Sequence, residues 1–267
     1  MTSVLKPLVT MVQHRNVPPS MVDLRWTTVL RLTMQAALAL SCLLGTPALK
    51  AQPLTALPPP ATTLKPEETA LIVVDFQNNF AAEKGEHYPR LAAQYRENHM
   101  LERAVETVKK ARAAGVQVVH VTEGYTNDYR ELDWGTTGSF HRAQILRQAW
   151  KAGTWAVDLY EPLKPGPADH DILIPNRIAA SGFMSNGLDT ILKARGIRNV
   201  AVMGFNTEIC VYATVLSAHD LGYRTYALRD LMISFRPEFA NNMLEAVYPY
   251  FSRVIDGENF IGMVARK

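Results

Sequence analysis

The stretch VAVMGFNTEICV, residues 200–211, decides the fold. Its first four residues, Val200–Met203, are an unbroken apolar run and read as a buried strand. A short turn follows. From Ile209 to Leu221 the apolar positions Val211, Val215, Ala218 and Leu221 fall at helical spacing, and Gly222 closes the run. The same alternation continues outward. Upstream, Ala70–Val74 is an apolar run ending at Asp75, Glu97–Ala114 has helical spacing up to Gly115, and Val116–Val121 is a strand. Next come a strand over Ile172–Ile174, stopped by Pro175, and a helix over Leu188–Ala194. Downstream lie a strand at Thr225–Leu228, a helix at Pro237–Val247 and a last strand at Arg253–Ile255. This period predicts one doubly wound, Rossmann-like α/β domain with a mostly parallel sheet and helices on both faces.

The chain has 267 residues, of which 48% are apolar and only 2 are cysteine. That supports a large core and excludes both a disordered chain and a disulfide scaffold. The net charge of +3 is uneven: residues 1–51 carry five basic residues against Asp23, leaving the remainder at −1. A basic patch for nucleic acid is therefore not expected on the domain. Within the first segment, Ala36–Leu44 (AALALSCLL) follows Arg25 and Arg31 and precedes small residues at Ala48 and Ala51. This is the pattern of a secretory signal cleaved near Ala51, so the protein is expected to be periplasmic or secreted. The run is too short for a stable membrane span. Three segments result: a leader over 1–51, a Pro-rich lead-in over 52–68 and a catalytic domain over 69–267. Removal of the leader takes Cys42 with it and leaves Cys210 as the one thiol.

Ligands of doubly wound sheets sit at the carboxyl ends of the strands. That rule selects Asp75, a carboxylate ending an otherwise apolar strand, where desolvation raises its pKa toward that of a general base. A turn cap is the bland alternative for an aspartate there. It also selects Cys210, in the first turn of a helix, where the helix dipole lowers a thiol pKa and backbone N–H groups can bind an oxyanion. A buried structural cysteine is the alternative. The long stretch Thr122–Pro167 reads either as a functional loop or as a flap without contact to substrate.

The runs Ala70–Gln77, Ser181-Gly182-Phe183 with Leu188-Asp189, and Gly204–Val211 followed by Gly222-Tyr223 together resemble the isochorismatase-like cysteine hydrolase superfamily. The resemblance covers nearly all of 68–256. It implies an Asp–Lys–Cys triad, with Asp75 taking the thiol proton and later giving one to the leaving amine, and Cys210 forming a thioester. It also implies a cis peptide at Phe205–Asn206, and an oxyanion hole made by the backbone N–H groups of Asn206 and Cys210. The lysine of that triad is absent: none lies between Lys164 and Lys193. Counting forward from Pro175 places Asn176 in its slot, and counting back from Phe183 places Arg177 there, so the loop carries a one-residue insertion. An arginine keeps the positive charge but not the geometry.

The stretch Asp171–Pro175 with Ser181-Gly182-Phe183 is closest in character to ureidoacrylate and N-carbamoyl amidohydrolases. The resemblance therefore implies C–N hydrolysis of a small amide or carbamoyl compound. A weakly active or inactive small-molecule binding protein is the alternative, given the lost lysine. Phe76, Gln77, Tyr125 and Phe183 are the expected pocket residues, with Trp134 and Trp155 as further aromatics. The Asp-x-His zinc motif of the nicotinamidases is missing from Glu123–Tyr129, so no metal or other cofactor is expected. His87, His99, His141, His170 and His219 read as surface or helix residues, and His120 as a core histidine. The resemblance also implies a homo-oligomer.

Overall fold

The structure, a computed structural model, describes residues 61–135 and 138–264. The expected leader and most of the lead-in lie outside the described residues. Six strands form one sheet: β1 (Thr69–Val74), β2 (Gln117–Glu123), β3 (Ile172–Arg177), β4 (Asn199–Phe205), β5 (Arg224–Ile233) and β6 (Arg253–Ile255). Their order is β3-β2-β1-β4-β5-β6, and every neighbouring pair is parallel. β1 and β4 are buried along their whole length, which is why both read as continuous apolar runs.

Alternate residues of β1 feed two cores. Leu71 and Val73 face one layer, which contains α1 (Asn78–Ala81), α2 (Tyr88–Asn98), α3 (Met100–Ala113) and, near the C-terminus, the helix Gly257–Val264. Ala70, Ile72 and Val74 face the other layer, packed by helices Leu188–Ala194 and Tyr212–Asp220. The remaining helices are α4 (Ser139–Arg147), inside the long connection, and Pro237–Ala246; in chain order the last four are α5 (Leu188–Ala194), α6 (Tyr212–Asp220), α7 (Pro237–Ala246) and α8 (Gly257–Val264). No helix among the described residues is long and apolar enough to cross a membrane.

Three local readings are corrected. The helix expected over Glu97–Ala114 is two helices, because His99 adopts a left-handed φ of 50° between α2 and α3. Pro175 does not stop β3: an edge strand has one unpaired side, where a missing N–H is tolerated. The helix expected from Ile209 begins earlier, in a wide π-helical turn over Thr207–Val211 that leads into α6.

β3 also explains the extra residue in its loop. Ile174 pairs with Val121 and Arg177 pairs with Glu123, so β3 uses three steps where β2 uses two. This is a β-bulge, and it re-aims the side chain that follows it. Asn176, inside the bulge, has φ 55° and is exposed, while Arg177 turns inward and is buried. The sheet is held tightly at one more point. A Cβ on Gly204 would lie 2.0 Å from the Val74 carbonyl oxygen, and its φ of 134° is open to glycine alone.

Candidate active site

The chain winds outward from β1 through β2 to β3, then returns and winds the other way from β4 to β6. The reversal between β1 and β4 opens a crevice at the carboxyl ends of the strands. Four strands deliver one group each to it: Asp75 follows β1, Glu123 ends β2, Arg177 ends β3, and Cys210 lies in the turn after β4.

Asp75 is fully buried with φ 56°, and its N–H donates to the Val121 carbonyl at 2.9 Å. Arg177 Nη2 donates to Asp75 Oδ1 at 2.7 Å and Oδ2 at 2.6 Å. The other arm, Nη1, donates to the Ala179 carbonyl and to that of Ala180 at 2.9 Å. The guanidinium is thus clamped from both sides, although its Nε has no partner. The Cys210 sulfur and carboxyl oxygens of Asp75 and Glu123 lie within 4.8 Å of one another. Such a set of donors resembles a metal site, but Arg177 already holds both Asp75 oxygens, so the charge that a cation would supply is present. The Phe205–Asn206 peptide is cis. The wide turn is marked by Val211 N–H donating to the Asn206 carbonyl at 3.2 Å, and Thr214 Oγ1 donates to the Cys210 carbonyl at 2.7 Å.

The electrostatics differ from the expectation at the sulfur. Burial pushes the Cys210 thiol well above its usual pKa, and Asp75 and Glu123 push the same way against the pull of Arg177. Burial and the two carboxyl groups thus oppose the lowering expected from the helix dipole. Burial also holds Asp75 above the ordinary carboxylate range, with Arg177 opposing. Burial and the nearby Asp75 raise Glu123 to about 7.

A cavity of about 450 Å³ is lined by Cys210, Asn206 and Glu123. Phe80, His87, Trp150 and Phe235 form one wall, and Phe140 and Arg147 of α4 form another. The long connection therefore contributes directly to the cavity. Asn206 Oδ1 is buried there without a hydrogen-bond partner.

The expected pocket residues lie one layer behind. Phe76 packs edge-on against Phe205 at 4.8 Å, and Phe183 belongs to the opposite core beside Tyr223. Gln77 Nε2 donates to the carbonyls of Glu123 and Val157, both at 2.8 Å, and its Oε1 accepts the Glu123 N–H at 2.9 Å. Tyr125 donates its hydroxyl to Glu123 Oε1 at 2.7 Å. Gln77 and Tyr125 thus hold Glu123 rather than line the cavity. Trp134 and Trp155 are exposed. His87, expected as a surface or helix residue, is buried against Phe80 at 5.1 Å just before α2, and burial lowers its pKa to about 4. Glu123 was legible by the rule that selected Asp75, a carboxylate ending an apolar strand, but was not singled out.

Residues 69–259 match the family model described as the isochorismatase domain. The ureidoacrylate amidohydrolase RutB of Agrobacterium fabrum is 33% identical over 221 residues, covering 78% of this chain and 95% of that protein. RutB of Stutzerimonas stutzeri is 36% identical over 194 residues, covering 68% and 76%. Among solved structures, a cysteine hydrolase from Pseudomonas syringae pv. phaseolicola superposes with a TM-score of 0.64 at 24% identity, covering 76% of this chain and 94% of the other. N-carbamoylsarcosine amidase from Thermoplasma acidophilum gives 0.54 at 24% identity, covering 72% and 97%. These two likenesses speak for the shared fold.

Proposed function

The chain belongs to the isochorismatase family and is a hydrolase, and from that premise we propose that it cleaves the C–N bond of a small amide or carbamoyl compound through a thioester on Cys210. The observation that carries this reading is the joining of three groups at the sheet's reversal point. The Cys210 sulfur lies within 4.8 Å of an Asp75 carboxyl oxygen, Asp75 is clamped by Arg177, and Cys210 lines the cavity. The amidohydrolase relatives support the bond type.

Burial favours the neutral thiol of Cys210, so its proton passes to a base as the sulfur attacks. Asp75, with a carboxyl oxygen within 4.8 Å of the sulfur, is that base. As Asp75 becomes neutral, Arg177 is released from neutralising it, and its charge offsets the negative charge growing on the substrate carbonyl. The backbone N–H groups of Asn206 and Cys210 form the oxyanion hole, and removing one such donor typically costs about 3 kcal/mol. The unpartnered Asn206 carboxamide stands ready for an amide group on the substrate. Arg177 takes the place of the family lysine, and Asn176 stays outside.

The test is intact-mass analysis of the protein with a panel of small amides and N-carbamoyl amino acids. Wild type is expected to turn over a member of the panel and to gain the acyl mass, and Cys210→Ala to do neither. Turnover that survives Cys210→Ala overturns the thioester. The second reading, a binding protein, is favoured by the elevated thiol pKa. It predicts saturable binding to wild type and Cys210→Ala alike, without turnover by either.

A further inference from the structure

Asp75 and Glu123 are both buried carboxyl groups beside the same sulfur, yet only one of them meets the cavity. Asp75 is enclosed, with both oxygens on Arg177 and the thiol as its other neighbour. Glu123 lies on the cavity side with Cys210 and Asn206. Its Oε1 accepts the Tyr125 hydroxyl, and its backbone is pinned through Gln77, which leaves Oε2 without a hydrogen-bond partner among the described residues. A rigidly held carboxyl with one free oxygen, within 4.8 Å of the nucleophile, is a built position for moving protons at the reacting carbon.

We infer that Glu123 is a second catalytic residue, which in place of Asp75 protonates the leaving nitrogen and then, as a base, activates the hydrolytic water. The inference rests on the thioester reading above. In the first half, the sulfur bonds to the carbonyl carbon and its proton passes to Asp75. The C–N bond then breaks as the Glu123 proton moves to nitrogen. The products are a free amine or ammonia, a thioester, neutral Asp75 and ionised Glu123. In the second half, water adds to the thioester carbon and gives a proton to Glu123. The C–S bond breaks, and the Asp75 proton returns to sulfur. Acid, thiol, Asp75 carboxylate and neutral Glu123 are restored, so the cycle balances.

The surroundings suit both roles. Facing Glu123 are Asp75 from β1, Arg177 from β3, Cys210 from the π-helical turn, Tyr125 beyond β2 and Arg147 from α4. Burial and Asp75 hold the group near 7, where acid and base forms are both accessible. Two carboxyl groups in unequal environments commonly divide acid and base work.

The probe is p-nitrophenyl acetate, whose phenolate leaves without a proton and whose acetyl group tests the second half alone. Wild type is expected to release a burst of p-nitrophenol, carry an acetyl mass on Cys210 and lose it faster as pH rises through neutrality. Glu123→Gln is expected to keep the burst rate within about threefold but hold the acetyl adduct about 100-fold longer, with no pH dependence of its decay near neutrality. Equal adduct lifetimes in the two proteins overturn the role of Glu123 alone. A burst lost in Glu123→Gln also overturns it, since the side chain then positions the thiol. If wild type gives neither burst nor adduct, the thioester reading itself fails. The pH dependence of adduct decay in wild type keeps the test decisive should the variant fold poorly, because a flat profile counts against Glu123.

Discussion

Arg177 neutralises a site crowded with acidic groups. Its guanidinium stays protonated, burial notwithstanding, because Asp75, Cys210 and Glu123 all favour the charge. Removing it strands the Asp75 carboxylate in a fully buried position. Arg177→Ala is expected to destabilise the fold by about 3–5 kcal/mol in urea unfolding at pH 8. The loss should be smaller at pH 5, where Asp75 can take up a proton to relieve the uncompensated charge. Arg177→Lys restores the charge but not the paired contacts at 2.6 and 2.7 Å, so its stability should fall between the two. Iodoacetamide should alkylate Cys210 more slowly in Arg177→Ala than in wild type, because the group that lowers the thiol pKa is gone. Asn176→Ala is the control: it should cost about 1 kcal/mol, for the left-handed φ of 55°, and leave alkylation unchanged. A slowed alkylation in Asn176→Ala would reverse the assignment of the two residues.

The strands were the most legible elements, because central parallel strands are apolar on both faces and carry their own signal. Where reading failed, a feature invisible to periodicity had intervened. His99 broke a helix by its backbone angle, with apolar residues at helical spacing on both sides of it. The bulge in β3 decided between Asn176 and Arg177, which counting along the chain left open. Of the expected pocket residues, Phe76 and Gln77 follow Asp75 in sequence but are not among those lining the cavity, while α4 brings in Phe140 and Arg147 from a stretch that showed no period. The junction of β1 and β4 is where one atom matters most to the elements. Gly204→Ala would push a methyl against the Val74 carbonyl and demand a φ that alanine avoids. Overpacking of this kind should cost at least about 3 kcal/mol. It should also move Asp75, which follows Val74 directly, so p-nitrophenol release should fall by more than stability explains. An alanine variant with wild-type melting would mean that the two strands can part without cost.

At the scale of the whole molecule, two of the buried groups among the described residues bind protons in opposite senses between pH 4 and 7. His87 is held neutral, its pKa lowered from 6.5 to about 4 by burial among aromatic rings. Between those values the unfolded chain binds the proton and the folded chain does not, so this group's contribution is present above 6.5 and lost as pH falls to 4. Glu123 is raised from 4.5 to about 7. Here the folded chain holds the proton, so its contribution is present below 4.5 and lost as pH rises to 7. The two slopes oppose each other across the same window. Each is on the order of 3 kcal/mol at full extent, since one pKa step corresponds to about 1.4 kcal/mol. Substituting either group should therefore unmask the other. Urea unfolding from pH 4 to 7 should show Glu123→Gln gaining stability relative to wild type as pH rises, and His87→Phe gaining relative to wild type as pH falls. Parallel curves for Glu123→Gln and wild type would mean that Glu123 carries the same charge in the folded and unfolded chains. That outcome would also remove the neutral acid from which the catalytic cycle begins, so a measurement of stability alone bears on the chemistry.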